Sequence, residues 1–276
     1  MIPDNAAYIE GVGIWSEKLP GWDEACRILR DEIAAPHEAS RRPSPQLLPA
    51  NERRRAPDTV AIALEVASKA CAHAQRDPST LPSVFASTHG ELAITDYMCE
   101  TLATTPDLIS PIRFHNSVHN AAAGYWAIAT GSMRPYTALS ASQFSFGNGL
   151  LEALVQVKSD NLNLLYVAYD IAAQGPLATM VSSTGRFGCA LVLNALPSAN
   201  AKYVLRWKLR DRESVAETRA STKHASLVDG NAMAPALPLF EAIARSTDRI
   251  TCEIGPKMCL ELELAPINEH SVEAMS

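Results

Sequence analysis

SPIRFHNSVHNAAAGYWAIATGSMRPYTALSASQFSFGNGLLEAL, residues 110–154, is the stretch that decides the fold of this chain. A helix is predicted over 117–130, after the proline-containing loop, and its many small residues indicate close packing against a neighbouring element. The β-prone run YTALSAS predicts a strand over 136–142, and regularly spaced leucines predict a helix over 146–157. A strand therefore ends where a helix begins, near Gln143.

Outside this stretch, strands and helices alternate along the chain. An amphipathic helix is predicted over 57–74, because Val60, Leu64, Ala67 and Cys71 recur every three or four residues. The other predicted elements are strands over 7–15, 83–87, 162–169, 187–193, 203–209, 250–254 and 258–264, helices over 22–33, 91–103 and 237–245, a loop over 104–116, and a turn at Pro197-Ser198 that joins two of the strands. This alternation predicts an α/β layered fold, a mostly parallel or mixed sheet covered by helices on both faces.

Composition and charge narrow the possible functions. A chain of 276 residues, 47% of them hydrophobic, can form one large domain or a domain with a small appendage. The net charge of −6 argues against nucleic acid as a partner. Two basic clusters, Arg41-Arg42 and Arg53-Arg54-Arg55, fit either a solvated loop or contact with an acidic partner. The N-terminus has no leader pattern and no run of about 18 apolar residues occurs, so we expect a cytoplasmic protein without membrane contact.

The sequence offers no metal or cofactor motif. Six cysteines without C-x-x-C spacing are interpreted as buried thiols, and no cofactor is predicted. His115 and His119 lie four residues apart, but no third ligand follows, so no metal site is predicted. Hydrolase and nucleotide-binding motifs are absent from the sequence. A serine hydrolase that uses Ser142, at the strand-to-helix junction, stays open as a minor alternative.

The order of motifs in residues 110–154 resembles the central segment of β-ketoacyl synthases. A Ser-Pro loop, an Asn followed by an Ala-Gly helix, a Gly-x-x-x-Pro turn, a strand and a helix follow one another as in that family. The run VHNAAAGYW, residues 118–126, is similar to a small subgroup found in aryl-polyene-type clusters, and residues 52–55 and 85–91 fit the same subgroup. The resemblance covers residues 7–195.

The resemblance implies a thiolase-like fold and a lost nucleophile. It divides the chain into a synthase-like domain, residues 1–195, and residues 196–276, which are either a short C-terminal extension or a remnant of the second half. Family enzymes hold an acyl group on a cysteine at a helix N-terminus, where the dipole lowers the thiol pKa. Here Gln143 takes that place, or Ser142 if the alignment slides by one residue. Neither forms a thioester, so the chain is predicted to be catalytically inactive.

The family's second half also supplies two catalytic histidines. Only His224 and His270 follow the junction in this chain, neither in a catalytic motif, and both are expected at the surface.

The function implied by the resemblance is that of a chain length factor. Such a subunit forms a heterodimer with an active β-ketoacyl synthase, shapes its acyl tunnel and meets acyl carrier protein through the complex. The residues expected at the dimer interface are Asn120, Tyr136, Ala138, Ser140 and Ser142. Those expected at the acyl tunnel are Arg113, Phe114, Ile94, Tyr97 and Met98, although the helix residues among them fit ordinary core packing as well.

Two other functions stay open at this point. The first is a stand-alone decarboxylase or acyltransferase that acts on malonyl or acyl carrier protein through Ser142 or Gln143. The second is an acyl-carrier or lipid-binding scaffold without a ketosynthase partner.

Overall fold

The structure of the protein is a computed structural model, which describes residues 5–179, 181, 183–216, 222–228, 230–247 and 249–267. Eight strands are present in the described part of the chain: β1 (Ala6–Ser16), β2 (Ser83–Ala86), β3 (Tyr136–Leu139), β4 (Asn163–Ile171), β5 (Arg186–Asn194), β6 (Tyr203–Asp211), β7 (Arg249–Glu253) and β8 (Met258–Pro266). The α-helices are α1 (Trp22–Leu29), α2 (Ala50–Arg55), α3 (Asp58–Ala74), α4 (Leu92–Thr104), α5 (Pro111–Asn116), α6 (Ala121–Thr130), α7 (Ser145–Asp160), α8 (Thr222–Ala225) and α9 (Leu237–Arg245).

All eight strands form one mixed sheet in the order β3-β2-β4-β5-β1-β6-β8-β7. Strands β3, β2 and β4 pair in parallel, and the remaining pairs are antiparallel. The predicted α/β layered fold with a mixed sheet is therefore confirmed. Strands β5 and β6 follow one another in the chain but do not pair, because β1 lies between them.

Helices cover both faces of the sheet around two apolar cores. One face carries α7 and α9, whose Phe146, Leu150 and Phe240 are buried against the strands. On the other face, α3 packs with α6, which contributes the buried Trp126. Burial on both faces explains why β4 and β5 are almost continuously apolar.

Some boundaries differ from the sequence-based expectations. Residues 104–116 are not all loop, since Pro111 opens the short helix α5 and the Ser110 hydroxyl accepts a hydrogen bond from the Arg113 backbone N–H. A second short helix, α2, was not predicted either. The strand predicted over 136–142 is shorter in the structure. Strand β3 ends at Leu139, which pairs with Ala86, the last residue of its parallel partner β2.

The three strands described beyond residue 195, β6, β7 and β8, belong to the same sheet as the rest of the chain. Strand β6 pairs with β1, and β8 and β7 follow outward from it. Helix α9 packs on the core that α7 also covers. The division at residue 195 stays a prediction.

An ion cluster ties the end of α1 to α8 and α9. Asp31 accepts hydrogen bonds from Lys223 and Arg245, and these hold the pKa of its carboxyl down from 3.8 to about 2. A lowered pKa means that the carboxylate stabilises the fold above pH 3.8 and loses this effect as the pH falls through about 2. We expect Asp31→Asn to lower the free energy of unfolding at pH 7, with the difference from wild type vanishing near pH 2. Urea unfolding of dilute protein across this pH range measures it, and an equal deficit at every pH would contradict it.

Candidate functional site at the end of strand β3

A tight turn, residues 140–145, joins β3 to α7. Ser142 has a φ of 53°, a left-handed conformation that few side chains adopt without support. The Ser145 hydroxyl supplies that support, because it donates to the Ser142 carbonyl at 2.6 Å and accepts from the Ala141 N–H at 2.9 Å. A strand-to-helix turn of this kind exposes side chains at the end of a sheet. Both Ser142 and Gln143 are exposed there.

No thiol lies in this turn. Burial raises the pKa of Cys71 and of Cys252 to about 12, and it also raises that of Cys189, so these thiols are protonated at neutral pH. Cys259 is buried as well, whereas Cys26 is half-buried. The interpretation of all six cysteines as buried thiols was wrong for Cys99, which is exposed on α4. The turn thus holds serine hydroxyls and the Gln143 amide, and no thiol.

Ser142 is hydrogen-bonded through its carbonyl, which accepts from the Thr88 and Ser145 hydroxyls. Within the described part of the chain, its own hydroxyl has no hydrogen bond to a histidine or a carboxylate that could act as a base. A serine nucleophile needs such a base close by to lose its proton. The geometry therefore gives the hydrolase alternative no support.

A buried carboxylate that sequence reasoning missed lies beneath the turn. Asp170, at the end of β4, is fully buried and accepts hydrogen bonds from Ser87 Oγ and from the Thr88 N–H, each at 2.8 Å. Thr88 connects Asp170 to residues 140–145, because its Oγ1 donates a hydrogen bond to the Ser142 carbonyl at 3.3 Å. Burial is the main cause of the raised pKa of Asp170. The run STHG, residues 87–90, follows a predicted strand and marks the loop that Asp170 contacts, but the sequence does not mark Asp170 itself.

An apolar groove of about 640 Å³ runs beside β3. Several of its side chains are exposed to an unusual degree for their type, including Ile128 at 79%. It is lined by Leu48, Glu52, Arg55, Pro111, Ile112, His115, Val118, Asn120, Ala121, Gly124, Tyr125, Ile128 and Tyr136.

Two of the predicted interface residues, Asn120 and Tyr136, line this groove and are joined by a hydrogen bond of 3.2 Å. Ala138 is half-buried on β3, whereas Ser140 and Ser142 are exposed in the turn. The structure thus places all five along the edge of the sheet that β3 forms.

A second groove, of about 700 Å³, lies between α4 and α5. Ile94, Tyr97 and Arg113 line it, and the Arg113 guanidinium lies 3.9 Å from the centre of the Tyr97 ring. Met98 and Phe114 are outside this lining, with Phe114 62% exposed. The structure brings three of the five predicted tunnel residues together, and their role stays a prediction.

The histidines do not converge on one point. His115 packs edge-on against Tyr125, while a ring nitrogen of His119 lies 2.9 Å from the Ser87 carbonyl. His224 is buried with Nδ1 2.8 Å from Glu241, so the expectation of surface placement was wrong for it. His270 lies outside the described residues. No group of three or more potential metal ligands occurs among the described residues.

The mixed sheet, its helical layers and the turn after β3 define a thiolase-like fold. The model of the β-ketoacyl synthase N-terminal domain matches residues 28–255, which is most of the chain. The chain therefore belongs to the β-ketoacyl synthase family, and the resemblance seen in the sequence is confirmed. No curated protein matches the sequence. Within the described residues, no helix has the length and apolar character needed to cross a membrane.

Solved structures show the same fold at low identity. A chain of the ketosynthase (ApeO) in complex with its chain length factor (ApeC) from Xenorhabdus doucetiae aligns with a TM-score of 0.70 at 19% identity, over 94% of this chain and 99% of that one. The ishigamide ketosynthase/chain length factor gives 0.67 at 14% identity, over 95% and 100%. A chain from the complex of a type II PKS acyl-carrier protein with its ketosynthase aligns with a TM-score of 0.71 at 10% identity, over 96% of this chain and 100% of that one.

Proposed function

We propose that this chain is a non-catalytic chain length factor, which forms a heterodimer with an active β-ketoacyl synthase in the cytoplasm. In that role it shapes the acyl tunnel of its partner during type II polyketide or fatty-acid-like synthesis, of the aryl polyene type. It meets acyl carrier protein through the complex. The observation that carries the proposal is the open edge of β3, which borders an apolar groove next to a turn without a thiol.

The edge of β3 is suited to pairing with another strand. Strand β3 pairs only with β2, so its outer backbone groups find no strand among the described residues. An open strand edge is a template for association, and proteins usually cover it or place charges on it. The sequence of β3, YTAL, carries neither charge nor proline. A partner strand beside β3 would satisfy these groups.

The apolar surface near β3 favours a stable complex with a partner subunit. Ile112, Val118, Ile128 and Tyr136 all line the same groove, and each is at least 40% exposed. A contiguous apolar patch of this kind marks a protein interface on a soluble domain. Two of the similar structures are of a ketosynthase together with its chain length factor, which favours a ketosynthase as the partner.

The groove between α4 and α5 is our candidate for the wall of the acyl tunnel. Ile94 and Tyr97 present apolar surface there, and the Arg113 guanidinium covers the Tyr97 ring. Bulk at such positions limits chain growth, because overpacking costs about 1–3 kcal/mol. Phe114 and Met98 would take part only if the partner brings them against the same channel.

Copurification with an active ketosynthase from the same genome tests the proposal. A tagged ketosynthase is expected to retain this chain in a 1:1 complex, which size-exclusion chromatography with mass measurement would show. A ketosynthase of a different pathway is the control, and no complex with either would refute the proposal.

The same complex tests which subunit carries the acyl group. With a radiolabelled acyl thioester, label is expected on the ketosynthase cysteine and not on this chain. Label bound near residue 143 of this chain, and lost in Ser142→Ala or Gln143→Ala, would instead favour the decarboxylase or acyltransferase alternative.

A further inference from the structure

Asp170 stands at the centre of a hydrogen-bond network that ends on the turn 140–145. Besides Ser87 Oγ and the Thr88 N–H, its carboxylate accepts from the His89 N–H at 3.3 Å. The Ser87 hydroxyl also accepts from the Gly90 N–H at 2.8 Å. The carboxylate therefore fixes the backbone of residues 87–90, which we call the STHG loop.

Two hydrogen bonds join the STHG loop to the turn 140–145. The Thr88 hydroxyl donates to the Ser142 carbonyl, and the Ser140 hydroxyl donates to the Thr88 carbonyl at 2.9 Å. These bonds hold the residue with the left-handed φ and the residue that follows β3. A strained conformation persists only where its surroundings hold it in place.

We infer that Asp170 is a positioning residue, which through the STHG loop holds the turn 140–145 in the shape that the ketosynthase partner docks on. That inference rests on the proposed function. It assigns a role to Asp170, a buried acid that takes no part in a catalytic step. A buried carboxylate is costly to keep, and here it is held by neutral hydroxyl and backbone donors.

Asp170→Asn tests the role, since the amide keeps the shape but replaces one accepting oxygen with an N–H₂ donor. One backbone donor of the STHG loop then loses its acceptor, and the turn loses its support. We expect subunit exchange of the purified complex with tagged wild-type chain to speed up by about tenfold or more. Hydrogen exchange of residues 140–145 is expected to rise in parallel.

Glu10→Gln is the matched control, because Glu10 is equally buried and also accepts side-chain hydrogen bonds. It bonds Asn194, which pairs with Asn163 at the start of β4, whereas Asp170 lies near the end of that strand. Its exchange rate is expected to stay within about twofold of wild type, since distant sites act independently. Equal rates for Asp170→Asn and wild type would overturn the inference.

The double variant Thr88→Val with Ser140→Ala covers the case in which Asp170→Asn does not fold. It removes the two bonds to the turn and leaves those of Asp170 in place, so faster exchange is again expected. Where Asp170→Asn folds, it can be combined with Ser140→Ala. The subunit exchange rate of this double variant is expected to rise by less than the product of the two single increases, because both substitutions act on the same hydrogen-bond network. Independent effects would contradict a positioning role. If the wild-type chain forms no complex at all, the proposed function fails and not this network.

Discussion

Replacing Ile128 with aspartate is expected to abolish the complex with the ketosynthase while leaving the fold intact. Ile128 is 79% exposed on α6 and lines the apolar groove beside β3. Because the side chain makes little contact within its own subunit, its replacement costs the isolated chain little. In a docked complex the same position would bury an unpaired carboxylate, which is among the costliest changes at an interface. Loss of a central contact costs about 2–4 kcal/mol, or roughly a hundredfold in affinity.

Pull-down with the tagged ketosynthase measures this loss, and circular dichroism checks the fold. The matched control is Leu209→Asp, since Leu209 is 50% exposed on β6, five strands away from β3 in the sheet. Neighbouring strands are about 4.8 Å apart, so this site lies on the order of 24 Å from the β3 edge. Normal binding by Ile128→Asp, or equal loss in both variants, would rule out the groove as the docking surface.

Periodicity in the sequence predicted the long elements well. The helix over 237–245 has the predicted bounds, and α3 begins one residue after the predicted start. In both cases apolar spacing and a proline at the start mark the helix. Short helices carry too few turns to show a period, which is why α2 and α5 were missed.

Sheet order could not be read from the chain. Nothing local shows that β1 lies between β5 and β6, since strand pairing depends on contacts between residues far apart in sequence. The candidate functional site also depends on contacts between residues far apart in sequence. Gln143 and Ser142 were singled out by the predicted strand-to-helix junction together with the resemblance to β-ketoacyl synthases. Asp170 reaches the turn only through tertiary contacts with the STHG loop. A lone acid at the end of an apolar strand gives no sequence pattern.

Gly13→Ala is expected to destabilise the fold strongly, because the added methyl group would clash with the backbone of α3. A Cβ at Gly13 would lie 2.2 Å from the Val66 carbonyl oxygen and 3.1 Å from the Ala70 nitrogen. Both are backbone atoms of α3, so no side chain can rotate away, and the helix must lift off the sheet. Overpacking costs about 1–3 kcal/mol, and a clash with backbone lies at the upper end of that range or above it.

Urea unfolding of dilute protein measures the change, with Gly124→Ala as the control. A Cβ at Gly124 meets nothing within 4 Å, and the residue lies inside α6, where alanine is favoured over glycine by about 0.5–1 kcal/mol. The two substitutions add the same methyl group and are expected to shift the unfolding midpoint in opposite directions. Equal midpoints for Gly13→Ala and wild type would show that α3 does not rest directly on β1. Direct contact matters for function because α3 also packs against α6, which carries Ile128 beside the proposed docking edge.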